Sequence, residues 1–244
     1  MRKRLEARAR RIAVRSAEQV TPSYRRITFE GSELTGFASE GADDHIRIFF
    51  PAPGQPLPSD GPQGLESREY TPAAAASNLL TVDFVLHGEG PGSKWAAGAK
   101  PGDEVWIGGP RGTMVVDGEP HWWLLAGDLT ALPAIRRFAA RVPQGVPVDV
   151  YLTSDDKADE QEITSLGDLS VTWVRSVDGN PSALIAALEE SPRHEGDGFA
   201  FIAAESSAVR PARALLAERG IGADHCVVKG YWKRSVSDFH DHTH

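Results

Sequence analysis

Hydrophobic and polar residues alternate in short runs through the first half of the chain. From Ile12 to about Val116 the segments RRITFEG, DHIRIFFPAP, REYTP, LLTVDFVLHG and DEVWIGGPRG each carry apolar residues at every second position, broken by Gly and Pro. Such runs predict short antiparallel strands closed into a barrel or stacked as a sandwich. One of the few helical candidates here is PGSKWAAGA, which is short and has Gly at its end. After VDGEPH the texture changes to unbroken apolar runs alternating with helical spacing. HWWLLAG, VPVDVYLTS, VTWVRS, DGFAFIAAE and ADHCVVKGYW read as strands, and LTALPAIRRFAARV, PSALIAALEES and SSAVRPARALLAERG as helices. Strand–helix alternation predicts βαβ units and a parallel sheet. The expected division is a β-rich domain at 1–118, an α/β domain at 119–235 and a flexible tail at 236–244.

Composition narrows the function classes. No apolar run reaches the ~18 residues that cross a bilayer, and the basic N-terminus MRKRLEARARRIAVRSAEQV lacks the apolar segment of a signal peptide. A formal charge of −8 argues against general binding to nucleic acid or anionic membrane, so an anionic ligand has to be met locally. Cys226 is the single cysteine, which excludes an internal disulfide and an iron–sulfur cluster and suits a reducing compartment. The expectation is a cytoplasmic monomer with no metal site; the tail histidines His240, His242 and His244 read as a solvated end.

Four stretches carry candidate chemistry. Arg68 and Tyr70, two apart on a strand, project to one face, where a guanidinium can hold a phosphate and a phenol can lie against a flat heterocycle. Thr71 either points the other way or turns with the chain at Pro72. In HGEGPGSKWA, residues 87–96, three glycines precede a helix whose first amides at Gly92, Ser93 and Lys94 can seat an anion, with Trp95 able to cover an aromatic ligand. In LLAGDLTALPAIRR, residues 124–137, a buried strand ends at Gly127 just before a helix, the position where α/β sheets bind phosphates. KGYWKRS, residues 229–235, sets Tyr231 and Trp232 among Lys229, Lys233 and Arg234. Each stretch alone also suits an ordinary strand end, cap or turn.

Together, DHIRIFFP, REYTP, HGEGPGSKWA, GDEVWIGGPRG, LLAGDLTALPAI and GYWKR, in this order, resemble the siderophore-interacting proteins of the ferredoxin reductase superfamily. The resemblance runs from about Ile12 to Arg234. It implies an antiparallel β-barrel that binds FAD, followed by a parallel-sheet domain for NADH or NADPH. By position, Arg68 would face the FAD pyrophosphate, Tyr70 the isoalloxazine and Thr71 the flavin N5, with His87, Gly92, Ser93 and Trp95 cradling the remainder. Gly127, Asp128, Thr130, Ala131 and Pro133 match the family's turn toward the nicotinamide nucleotide. Tyr231 and Trp232 match a C-terminal pair that lies toward the flavin and restricts the nicotinamide's approach. Tyr70, Thr71 and Trp232 are thus the expected catalytic residues. The chain departs from the family at Ala73, Leu129 and Ser235, where relatives often carry a basic residue, Glu and Gly.

The implied activity is NAD(P)H-dependent reduction of a ferric siderophore, the substrate docking on Lys229, Lys233 and Arg234. Asp155 and Asp156 would repel a 2′-phosphate and Lys157 would attract it, a balance favouring NADH. Two alternatives stand beside this: a flavin or electron-transfer reductase of the same superfamily, and a non-catalytic siderophore-binding module.

Overall fold

The structure, a computed structural model, describes residues 8–87, 90–177, 179–234 and 236, with residues 2–4 described as backbone. The tail residues from 237 on, including His240, His242 and His244, lie outside the described residues, as do Gly88, Glu89 and Ser235. The chain divides into two units, Met1–Asp117 and Gly118–His244.

The first unit contains β1 (Arg2–Arg4), β2 (Ala9–Thr21), β3 (Tyr24–Glu30), β4 (Ile46–Phe50), β5 (Glu66–Tyr70), β6 (Pro72–Ala76), β7 (Leu79–Val85), α1 (Pro91–Gly98), β8 (Glu104–Gly108) and β9 (Gly112–Met114). β1 and β9 form a small ribbon, and the other seven strands form an antiparallel sheet in the order β5-β4-β8-β2-β3-β7-β6. The alternation seen in the sequence is what builds the core: Ile12 and Val14, Ile27 and Phe29, Ile46, Ile48 and Phe50, Leu80, Val82 and Phe84, and Val105 and Ile107 are all buried within one cluster. Ala96 and Ala99 of the α1 region join it, so α1 covers the same interior.

The sheet order explains why this is a barrel. β5 and β6 are its two terminal strands, yet only Thr71 separates them in sequence. One continuous strand therefore bends at Thr71, its first half paired with β4 and its second half with β7, and the sheet has to curl until its edges meet there. The β6 half, Pro-Ala-Ala-Ala-Ala, has neither alternation nor strand propensity, so its pairing with β7 owes everything to this closure. Arg25 ties α1 to the wall by donating to the carbonyls of Ala97 and Ala99 at the helix end.

The second unit contains β10 (Trp122–Asp128), α2 (Leu132–Ala139), β11 (Pro147–Ser154), β12 (Asp168–Arg175), α3 (Ser182–Glu189), β13 (Gly198–Glu205), α4 (Val209–Glu218) and β14 (Cys226–Trp232). All five strands are parallel, ordered β12-β11-β10-β13-β14. β10 and β13 are buried along nearly their whole length, which is why they read as continuous apolar runs. One face packs Leu124, Ala126, Ala200 and Ile202 against Leu184, Leu188, Leu215 and Leu216 of α3 and α4. The other stacks Trp123, Phe199 and Phe201 on Phe138 of α2. The order reverses between β10 and β13, so the carboxyl ends of these two strands flank the crevice where such sheets bind ligands. Among the described residues no helix is long and apolar enough to cross a membrane.

Candidate functional site

In the first unit the structure joins two of the sequence motifs. Tyr70 pairs with Ile46 and Arg68 with Ile48, so both side chains share the face of the buried isoleucines. The Tyr70 ring packs 4.5 Å from Phe84 and edge-on to Phe50 at 6.3 Å. Its hydroxyl lies against the first turn of α1, where a Cβ on Gly92 would be 1.9 Å from it. Only glycine leaves that space. Burial pushes the Tyr70 phenol far above its ordinary value, with the Arg68 charge opposing, so the ring presents a neutral face and a hydroxyl that keeps its proton. Thr71, next along and buried, marks the barrel seam, where no ladder joins β5 to β6.

The turn before α1 is organised by the helix itself. Ser93 is buried and its Oγ accepts the backbone N–H of His87 at 3.0 Å. The His87 ring folds back over Gly90, where a Cβ would meet it at 3.2 Å. Pro91 opens the helix, leaving the following amides at Gly92 and Ser93 at the positive end of its dipole. Trp95 has a packing role as well. Its ring contacts Phe29, Phe50 and Phe84, so it fastens α1 to the barrel wall. The Gly92 space, the Tyr70 face and the α1 amides form one wall that fits a flat cofactor carrying a phosphate. No group of three or more His, Cys, Asp or Glu side chains among the described residues could hold a metal ion.

In the second unit Gly127 ends the buried part of β10. A Cβ there would sit 2.2 Å from the Ala203 carbonyl oxygen and 2.6 Å from the Ala131 Cβ, so glycine permits both the β10–β13 spacing and the turn into α2. Leu129, Ala131 and Pro133 are buried and supply packing. Asp128 is the polar centre of the turn. Its Oδ1 accepts from the Thr130 N–H at 2.9 Å and the Thr130 hydroxyl at 2.5 Å, and its Oδ2 accepts from the Trp232 indole N–H at 2.8 Å. Burial pushes the Asp128 carboxyl above the ordinary range, against bonds from Thr130, Trp232 and the Glu205 backbone.

Glu205, at the end of β13, was not singled out in the sequence. It is buried, and its carboxylate accepts the N–H of Ser207 at 2.6 Å, the Ser207 hydroxyl, the Ser206 hydroxyl at 3.2 Å and the N–H of Arg234 at 3.2 Å. Burial alone would raise its carboxyl, but these bonds outweigh it and hold it below the ordinary range. The readable signal was an acidic residue followed by two serines at a strand-to-helix turn beside the switch point.

The basic residues of the last motif lie at different heights along the end of the sheet. Lys229 sits in the middle of β14 opposite Ala203, about 10 Å before the strand's end at the usual rise per residue, whereas Lys233 and Arg234 are exposed beyond it. Tyr231 meets Phe201 edge-on at 6.4 Å. After β11, Asp155, Asp156 and Lys157 are exposed, with Asp156 accepting the Ala158 N–H at 2.9 Å to cap a 3-10 turn.

Comparison with known proteins places these features in context. A family model described as siderophore-interacting FAD-binding domain matches residues 13–114, and one described as siderophore-interacting protein matches residues 120–235. The chain is 31% identical to the ferric vibriobactin reductase of Vibrio cholerae over 247 aligned residues, covering 92% of this chain and 90% of that protein. It is 29% identical to the NADPH-dependent ferric-chelate reductase of Escherichia coli, covering 86% of this chain and 87% of the other. The solved structure of a siderophore utilization protein from T. fusca superposes with a TM-score of 0.90 at 32% identity, covering 98% of both chains.

Proposed function

The chain belongs to the siderophore-interacting protein family, and from that premise we propose that it is a cytoplasmic, monomeric NAD(P)H-dependent reductase that uses FAD to convert ferric siderophores to the ferrous state. One observation carries the proposal: the Tyr70 hydroxyl rests on the Gly92 backbone, joining the strand-end motif and the glycine-rich helix start into a single wall beside the barrel seam. A loop that only connected two elements would have no need of a glycine at that contact.

FAD, when bound, supplies an acceptor of two electrons that can release them one at a time. Arg68 and the amides of Gly92 and Ser93 would hold its phosphates, and Tyr70 and Thr71 its ring system. The depth of Tyr70 keeps its phenol protonated across the working pH range, so it orients without exchanging a proton. The nicotinamide nucleotide belongs at the crevice between the ends of β10 and β13, on the turn from Gly127 to Pro133. Ferric catecholates are anionic, so the exposed Lys233 and Arg234 are the candidates for meeting them. Iron(III) is held tightly by hard oxygen donors, whereas iron(II) sits low in the divalent affinity order, so one electron loosens the metal and leaves the chelator intact.

The test is an absorbance spectrum of the purified protein, then anaerobic addition of NADH or NADPH, then of a ferric siderophore with an iron(II) trap. Bleaching of a flavin band followed by its return with trapped iron(II) is the expected sequence, and it names the donor. Bound flavin that is reduced but ignores every ferric chelate would move the assignment to an electron-transfer reductase; no flavin, even after incubation with FAD, would sink the proposal.

A further inference from the structure

We infer that Asp128 is a positioning residue of the donor crevice: it latches the Trp232 indole across the carboxyl ends of β10 and β13, and so governs how a nicotinamide nucleotide reaches them. The effect on the nucleotide rests on the reductase proposal; the latch itself does not.

The geometry comes from the sheet order. Trp232 is the last residue of β14, and β13 lies between β14 and β10. The hydrogen bond from its indole to Asp128 on β10 therefore spans the end of β13 and the crevice itself. A register shift between Ala204 and Glu205 breaks the β13–β14 ladder at this point, placing Trp232 opposite Glu205. On its far side the indole rests on Gly179, where a Cβ would lie 2.6 Å from the ring, and that residue's φ of +62° is one that glycine accommodates. Glu205 then accepts the N–H of Arg234, holding the residues just beyond the indole.

The donors Asp128 uses matter as much as the indole. The Thr130 N–H, at the strand-to-helix turn after β10, is of the kind that seats a phosphate in α/β sheets. The Ser207 N–H after β13 is another, and Glu205 takes it as Asp128 takes that of Thr130. The chain thus occupies both amides with its own carboxyl groups, and Asp128 holds the Thr130 N–H with one oxygen while it latches the indole with the other. Asp128 faces donors on both sides, so it needs two acceptor oxygens. An asparagine would satisfy one side and turn its NH2 toward a donor on the other.

That mismatch gives the test, made on the flavin-loaded protein with Asp128→Asn, Trp232→Phe and the double variant. Three quantities are read: the emission and acrylamide quenching assignable to Trp232 by difference from Trp232→Phe, the thermal midpoint, and KM and kcat for NADH and NADPH. Asp128→Asn is expected to expose Trp232 to quencher and to lower the donor KM about tenfold, the factor set by one charge-assisted hydrogen bond, with kcat moving less. Trp232→Phe, opening the latch from its other end, is expected to lower KM in the same direction. In the Trp232→Phe background the Asn substitution is expected to change KM by less than about twofold and to leave the thermal midpoint nearly where it was, because the donor it cannot satisfy is gone. Equal effects of Asp128→Asn in both backgrounds would overturn the inference and assign Asp128 a direct charge effect on the nucleotide. So would Trp232 emission that ignores the substitution. If Asp128→Asn does not fold, Trp232→Phe decides alone, an unchanged or raised KM counting against the latch. A protein that oxidises neither nucleotide ends the reductase proposal only, since quenching and midpoint coupling still report the latch.

Discussion

Gly92→Ala puts the proposed flavin wall to its most direct trial. The new Cβ would lie 1.9 Å from the Tyr70 hydroxyl oxygen, 3.1 Å from Cζ of the same ring and 3.2 Å from Cζ of Phe50. To restore ordinary contact the hydroxyl must retreat by about 1.5 Å, or α1 must lift by a similar amount. The ring cannot retreat toward Phe84, 4.5 Å away and fully buried, so it has to swing out of the wall. Overpacking of this kind costs about 1–3 kcal/mol. If Tyr70 yields, that cost appears as weaker FAD binding, by roughly five- to hundredfold. If α1 yields, it appears as lost stability. Titrating the flavin-free protein with FAD by fluorescence, alongside thermal unfolding, measures both routes. Gly98→Ala in the same helix is the control: nothing lies within 4 Å of its added Cβ, so it should stabilise by up to about 1 kcal/mol through helix propensity. A Gly92→Ala protein with the FAD affinity and midpoint of the parent would refute the idea that Gly92 seats Tyr70.

Other consequences are equally measurable. Gly127→Ala drives a Cβ into the Ala203 carbonyl, a backbone atom that cannot rotate away, and should cost about 3 kcal/mol in chemical denaturation. Asp83 is buried and accepts both arms of the Arg26 guanidinium, at 2.7 and 2.8 Å. Asp83→Ala should cost about 2 kcal/mol in the same assay, less than a wholly buried pair because the Arg26 side chain is 36% exposed. The carboxylates of the crevice titrate with opposite sign. Glu205, held below its ordinary value, contributes stability that is complete above that value and is lost as pH falls through the depressed one. Asp128, raised, contributes stability that is complete below its ordinary value and is lost as pH rises through the raised one. Urea midpoints from about pH 3 to 8 should therefore lose the first dependence in Glu205→Gln and the second in Asp128→Asn.

How much of this was legible in the sequence depended on how far apart the interacting residues stand. Within a strand, the period of two in DHIRIFFPAP and LLTVDFVLHG located the barrel interior, because each residue's face follows from its neighbour's. The buried runs of HWWLLAG and DGFAFIAAE likewise marked central parallel strands. β6 was invisible because four alanines carry no pattern, and its pairing is imposed by the closure at Thr71. The packing of Trp95 was hidden for a related reason: an indole beside a glycine-rich turn gives no local sign that it anchors the helix, and only the positions of Phe29, Phe50 and Phe84 show it.

The crevice shows the same limit from the other side. Asp128 and Trp232 are 104 residues apart, and no local signal connects them. Topology could have done so in part. Once the strand order is fixed, the ends of β10 and β13 must flank the switch point, and the last strand must end beside β13. That reasoning would have drawn Glu205 into the site as well. It would not have revealed that both carboxylates are turned inward onto the chain's own N–H groups. A Gly-Asp turn and an Ala-Ala-Glu-Ser-Ser turn look like places for a phosphate, and here the negative charge that each turn attracts comes from its own side chain. On the proposed reading, a nucleotide at this crevice would compete with the Asp128 carboxyl for the Thr130 N–H, which ties donor affinity to the same hydrogen bonds that close the turn.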